Sequence, residues 1–236
     1  MKRPVVLIAL AALLVGLLAL PATAITFGEP DNGEHPYVGM LFFYVPGDPT
    51  DTRFPTSPGT WYSCSGTLMS STVVMTAAHC VYGVGLDGEA TLPEVNPEED
   101  GSGGNDIWVT FAEDADLEGL PPSTDYYDNE DCPDCAEDNP GRYSDRVNWF
   151  ADRDDWVRGT ANPHPGYGGA LQIPATYDVG VVELSAEVYP EQGWSGDSYG
   201  ELPLLGYLDT LANHRGNAYE VNLMVEPVGY GMLSVR

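Results

Sequence analysis

His79 is the side chain of this sequence best suited to moving a proton near neutral pH, because imidazole titrates there. It stands in Met75-Thr76-Ala77-Ala78-His79-Cys80, downstream of Cys64-Ser65-Gly66-Thr67-Leu68. These segments read as two short strands whose ends could be tied by a Cys64–Cys80 bridge. Closing a loop of that size contributes roughly 3 kcal/mol by restricting the unfolded chain. The bridge would also pin the residue just before Cys80. Ala77 and Ala78 are small enough for the backbone to pack beside the ring, and a catalytic base needs such fixed anchorage. The same residues fit equally well a histidine that merely follows a strand.

Other residues with chemistry are scattered. Asp178 heads the run Val179-Gly180-Val181-Val182. A carboxylate at the head of a Val-rich strand is expected to be partly buried and so to need a strong donor; a strand-end turn residue is the plainer alternative. Cys132-Pro133-Asp134-Cys135 has redox spacing, but it lies among acids, and nearby negative charge raises a thiol's pKa. A small local Cys132–Cys135 disulfide is the first reading, with redox and metal roles left open. Two cysteines with no His-x-x-x-His partner do not make a zinc site. The surrounding carboxylates could hold Ca²⁺; the Asp-x-Asp-x-Asp-Gly pattern is absent, which favours a solvated acidic face. His35 and His164 each precede a proline and read as structural, and His214 beside Arg215 reads as exposed. No cofactor or metal site is implied.

The elements that must position these residues are β-strands. Strands are expected at Tyr37 to Tyr44, Trp61 to Leu68, Val73 to Ala78, Asp106 to Phe111, Asp178 to Leu184 and Tyr219 to Val225, from period-2 alternation or short apolar runs bounded by turn residues. Between residues 113 and 155 apolar residues thin out and acids cluster, which reads as a long surface insertion that buries little. No helix longer than a few turns and no fixed-period repeat is evident.

Composition narrows the classes. The 236 residues suit one domain or one fold of two halves. An apolar share of 43% suffices for a core and argues against a disordered chain. Lys2 and Arg3, the uncharged stretch Val5 to Leu20, Pro21 and the small-x-small triplet Ala22-Thr23-Ala24 form a signal peptide over residues 1–24. The apolar run is short for a membrane span. The expectation is therefore export, a secreted chain starting at Ile25, disulfides permitted, and no stable membrane association after cleavage. From Ile25 onward 7 Arg face 36 acids, a net charge of −29. Such a surface repels nucleic acid. It also suits a protein in strong brine, where salt screens self-repulsion.

The Cys64–Leu68 and Met75–Cys80 segments resemble the histidine motif of chymotrypsin/trypsin-like serine proteases (peptidase S1), and further segments are similar in the same order. Ile25-Thr26-Phe27-Gly28 is similar to the family's mature start, and His35-Pro36-Tyr37-Val38-Gly39 to the opening of its first strand. Tyr177-Asp178-Val179-Gly180-Val181-Val182-Glu183-Leu184 resembles its Asp-Ile-Ala-Leu-Leu strand, followed by Leu202-Pro203. Val228-Gly229-Tyr230-Gly231 resembles the Gly-Trp-Gly strand that opens its second barrel. The resemblance implies an all-β, trypsin-like double β-barrel over residues 25–236 acting on protein or peptide substrates. It makes His79 the general base and Asp178 the acceptor that holds the ring's tautomer and stabilises the imidazolium.

The family's nucleophile lies in Gly-Asp-Ser-Gly-Gly, well after the Gly-Trp-Gly strand. This sequence has Gly196-Asp197-Ser198-Tyr199-Gly200 instead. That segment falls between Asp178 and Leu202-Pro203, and Tyr199 replaces the glycine behind the serine, so Ser198 is not assigned as the nucleophile. The expectation is a chain incomplete at its C-terminus, with the first barrel complete and the second only begun, inactive alone. Signal cleavage would free the Ile25 amine directly. The alternative is a non-catalytic homologue acting as a secreted protein-binding module.

Overall fold

A computed structural model describes residues 30–47, 59–121, 140–170, 176–189, 199–207 and 228–230, all within one compact unit, Pro30–Tyr230. Six antiparallel strands, β1 (Val38–Pro46), β2 (Gly59–Ser70), β3 (Val73–Thr76), β4 (Ile107–Thr110), β5 (Val157–Pro163) and β6 (Gly180–Leu184), close into a barrel in the order β1-β2-β3-β6-β5-β4. The protein is thus all-β with a closed barrel, as expected. Closure leaves no strand edge of the barrel unpaired.

Alternation explains how the barrel fills. Leu41 and Phe43 of β1, Leu68 of β2, Val74 of β3, Ile107 and Val109 of β4, Ala161 of β5 and Val182 and Leu184 of β6 meet in one buried cluster, joined by Cys80, Val81 and Val84. On β1 the intervening residues Met40 and Phe42 face the other way.

That outer side is covered too, which corrects one expectation. The acidic stretch 113–155 carries a helix, α1 (Pro140–Ala151), whose Phe150 is buried. Phe150 stacks on Trp108 of β4 (centroids 4.8 Å apart, planes 13° apart) and meets Trp156 edge-on at 4.9 Å. Leu117, Leu120, Val147 and Trp149 join this second core. All four residues of β4 are buried because it is covered on both faces. A helix of three turns and a core therefore lie where the acids suggested a surface loop.

A polar clamp holds α1 in place. Asp106, fully buried at the head of β4, accepts from the Tyr143 hydroxyl on α1 (2.6 Å), the Gly88 amide (2.8 Å) and the Arg158 guanidinium on β5 (3.0 Å). Burial pushes the Asp106 carboxyl above its ordinary value, against the pull of those donors.

Strand β5 was not expected. Its inward residues include Gly159 and Ala161, too small to give an apolar alternation. They are small for a reason: a Cβ on Gly159 would come within 2.4 Å of Val182 Cγ1. The expected strand Tyr219 to Val225 lies outside the described residues. So do the signal peptide, Ile25 and whatever residues 208–227 and 231–236 contribute to a second barrel.

Candidate functional site

The register of β3 against β6 assembles the site. The two are antiparallel, with Thr76 opposite Gly180, so the end of β3 lies beside the start of β6. Three residues past β3 comes His79, within a single 3-10 turn, Ala78–Cys80. Two residues before β6 comes Asp178. The barrel thus brings together two side chains 99 positions apart in sequence.

Gly180 makes the approach close. A Cβ there would meet Val81 Cγ2 at 2.4 Å and the Ala77 carbonyl oxygen and Ala78 Cα at 3.2 Å. Cys64 and Cys80 are disulfide-bonded, with Cα atoms 6.2 Å apart, so the turn is fastened to β2 at the residue after His79. Thr76 adds a second fastening, its hydroxyl donating to the Ser65 carbonyl (2.9 Å).

Asp178 grips His79 at two points. Its Oδ1 accepts from the His79 backbone N–H and its Oδ2 from Nδ1, both at 2.9 Å. Partial burial pushes the carboxyl up, but the His79 amide and ring, with the Ala78 amide, outweigh it and hold Asp178 below the usual carboxylate range. The Asp178 side chain is 20% exposed and that of His79 55%. With Nδ1–H engaged, the neutral ring keeps its lone pair on Nε2, and that nitrogen can take a proton from an incoming group.

Asp178 is itself held by an unusual backbone. The Val179 amide donates to the Tyr177 carbonyl (2.8 Å), closing a three-residue turn with Asp178 at its centre. Tyr177 has φ +45°, a left-handed conformation that costs a side-chain-bearing residue about 1–2 kcal/mol. The Tyr177 ring stacks on His164, centroids 4.9 Å apart and planes 12° apart.

The remaining candidates separate. His79, Cys64 and Cys80 offer donor atoms within 4.8 Å of one another, but the disulfide consumes both sulfurs, so no thiolate is available for a metal. His35 pairs with Asp31 through its amide (2.7 Å) and Nδ1 (2.5 Å), a local i,i+4 contact in keeping with its structural reading. Cys132, Cys135, Ser198 and His214 lie outside the described residues. The Gly200 amide donates to the Leu68 carbonyl of β2 (2.8 Å). Further along, Tyr230 ties the Val228-Gly229-Tyr230 segment to the barrel: its amide donates to Ser65 Oγ (2.8 Å) and its hydroxyl to the Ala112 carbonyl. Burial, with Asp31 and Glu113 nearby, pushes the Tyr230 phenol up to about 12. Sequence reading missed the support around Asp178. Of that support only His164 was singled out, as a structural residue before a proline.

No family model matches the sequence, and no curated protein does. Among solved structures, one described as "Structure of GrC" matches with a TM-score of 0.33 and 16% identity over 75% of this chain. The chain spans about half, 47%, of that structure's length.

Proposed function

We propose that this chain carries the general-base half of a secreted serine endopeptidase acting on proteins or peptides. The observation that carries the reading is the two-point grip of the Asp178 carboxylate on the amide and Nδ1 of His79, both at 2.9 Å. It fixes ring orientation and tautomer together, which a general base requires and a surface ion pair does not.

In this mechanism Nε2 of His79 takes the proton of a serine hydroxyl as its oxygen attacks the substrate carbonyl. The imidazolium forms beside Asp178, which stays ionised and stabilises it. Nε2 then returns the proton to the leaving amine. The nucleophile belongs to a Gly-Asp-Ser-Gly-Gly segment, which Gly196-Asp197-Ser198-Tyr199-Gly200 does not supply. Export fits residues 1–24 as a signal peptide and a disulfide that persists in an oxidising compartment.

The test begins by reading the coding sequence past the Arg236 codon. An in-frame Gly-Asp-Ser-Gly-Gly is expected. The chain so extended should cleave a broad peptide library, and His79→Ala should lower kcat by about 10⁴-fold or more. A stop codon at that position, with no turnover by residues 25–236, would replace this reading with that of a non-catalytic binding barrel. Turnover lost on Ser198→Ala would overturn the assignment of the nucleophile.

A further inference from the structure

We propose that His164, Gly166 and Tyr177 form a bracket whose task is to aim Asp178 at His79, making them positioning residues of the dyad; this rests on the general-base reading above. Five observations converge. Tyr177, immediately before Asp178, sits at φ +45°, where the chain does not rest unless its surroundings hold it. Its ring lies flat on His164 at 4.9 Å. The His164 amide donates to the Val179 carbonyl (2.8 Å), so His164 grips the chain on the far side of Asp178 as well. The Gly166 amide donates to His164 Nδ1 (3.0 Å), which makes Nδ1 an acceptor, places the neutral ring's proton on Nε2 and fixes the plane on which Tyr177 stacks. A Cβ on Gly166 would stand 3.1 Å from Tyr177 Cγ and Cδ2 and 3.2 Å from His164 Nδ1, so glycine is what lets the turn close against the stack.

The bracket thus holds both residues flanking Asp178, one through its ring and the other through its carbonyl. Tyr177 is half exposed and His164 is exposed, so burying apolar surface is not what the stack accomplishes. Its product is the conformation of the three-residue turn. Without it, Tyr177 is free to leave the left-handed region, and the carboxylate swings off the line between the His79 amide and Nδ1.

The experiment reads the His79 tautomer by ¹⁵N NMR of the ring in the full chain, in alkaline solution where the imidazole is neutral. No protease activity is needed. In the wild-type protein the proton should be found on Nδ1, facing Asp178 Oδ2. Asp178→Asn should move it substantially to Nε2; if that variant leaves the tautomer unchanged, the dyad reading fails, independently of the bracket. If Asp178→Asn shifts the tautomer, His164→Ala and Gly166→Ala should each shift it part of the way, with thermal midpoints near that of the wild type. Tyr177→Phe, which keeps the ring, should be indistinguishable from the wild type. A wild-type tautomer in both His164→Ala and Gly166→Ala would overturn the bracket while leaving the dyad standing. Should His164→Ala fail to fold, Gly166→Ala decides alone.

Discussion

Removing the Cys64–Cys80 bridge by the double change Cys64→Ala/Cys80→Ala should cost about 3 kcal/mol of folding stability. The size follows from the 16-residue separation of the two cysteines. Cross-linking a loop of that length removes about 10 cal/mol/K from the unfolded chain, or about 3 kcal/mol at 25 °C. Alanine is the better replacement, because Cys80 is buried in the barrel core and serine there would bury a hydroxyl. The barrel itself should survive, since nine residue pairs hold β1 to β2 and β3 is paired on both sides. For a domain of this size about 3 kcal/mol corresponds to a fall of about 6–12 °C in Tm. Thermal unfolding followed by circular dichroism measures it, with the near-ultraviolet spectrum at low temperature confirming that the variant starts folded. A midpoint within about 2 °C of the wild type would refute the reasoning. It would mean that the unfolded chain already keeps the two ends together, or that the bridge strains the fold by as much as it constrains the coil.

Three further outcomes are expected. The penalty of Asp178→Asn should be full above the ordinary carboxylate range and shrink as the pH falls through the depressed native value, because the wild-type grip is lost on protonation; equal penalties at about pH 6 and about pH 2 in chemical unfolding would contradict it. Gly180→Ala should destabilise by about 1–3 kcal/mol, since its methyl group would meet Val81 Cγ2 at 2.4 Å, and a neutral result would mean that the His79 turn yields easily. Raising NaCl from about 0.1 M to about 1 M shortens the screening length from about 10 Å to about 3 Å and should raise the Tm of residues 25–236, whose net charge is −29; unchanged melting would end the brine interpretation.

Strands with an apolar inner face were legible in the sequence, and those built differently were not. β1, β2, β3, β4 and β6 carry alternating or continuous apolar residues between turn residues, and each was anticipated within a few positions. β5 escaped notice because Gly159 and Ala161 face inward, where neighbouring strands leave no room for more. In α1, the residues turned toward the barrel include Tyr143 and a buried Arg146, whose guanidinium lies 5.3 Å from the Trp61 ring and 5.7 Å from that of Phe42. A charged residue on the inner face disguised the helical period, although Tyr143, Val147 and Phe150 keep it. At the site, His79 could be singled out from residue type and from its neighbour Cys80. Its pairing with Asp178 across 99 positions came from a resemblance, because strand register is a property of the closed barrel and is not written in either segment. The bracket around Asp178 depends on a backbone angle at Tyr177 that a tyrosine does not advertise.

The outer aromatic core makes the described barrel optically lopsided. Among the described residues Trp61, Trp108, Trp149 and Trp156 all sit in that cluster, whereas the rings near the dyad include Tyr82, Tyr167 and Tyr177; Trp194 lies outside the described residues. With Trp194 replaced by Phe, indole emission will therefore report largely on whether α1 stays docked, and will be nearly silent about events at His79. Selective excitation above the tyrosine band gives a gauge of the acidic insertion, independent of any probe of the imidazole.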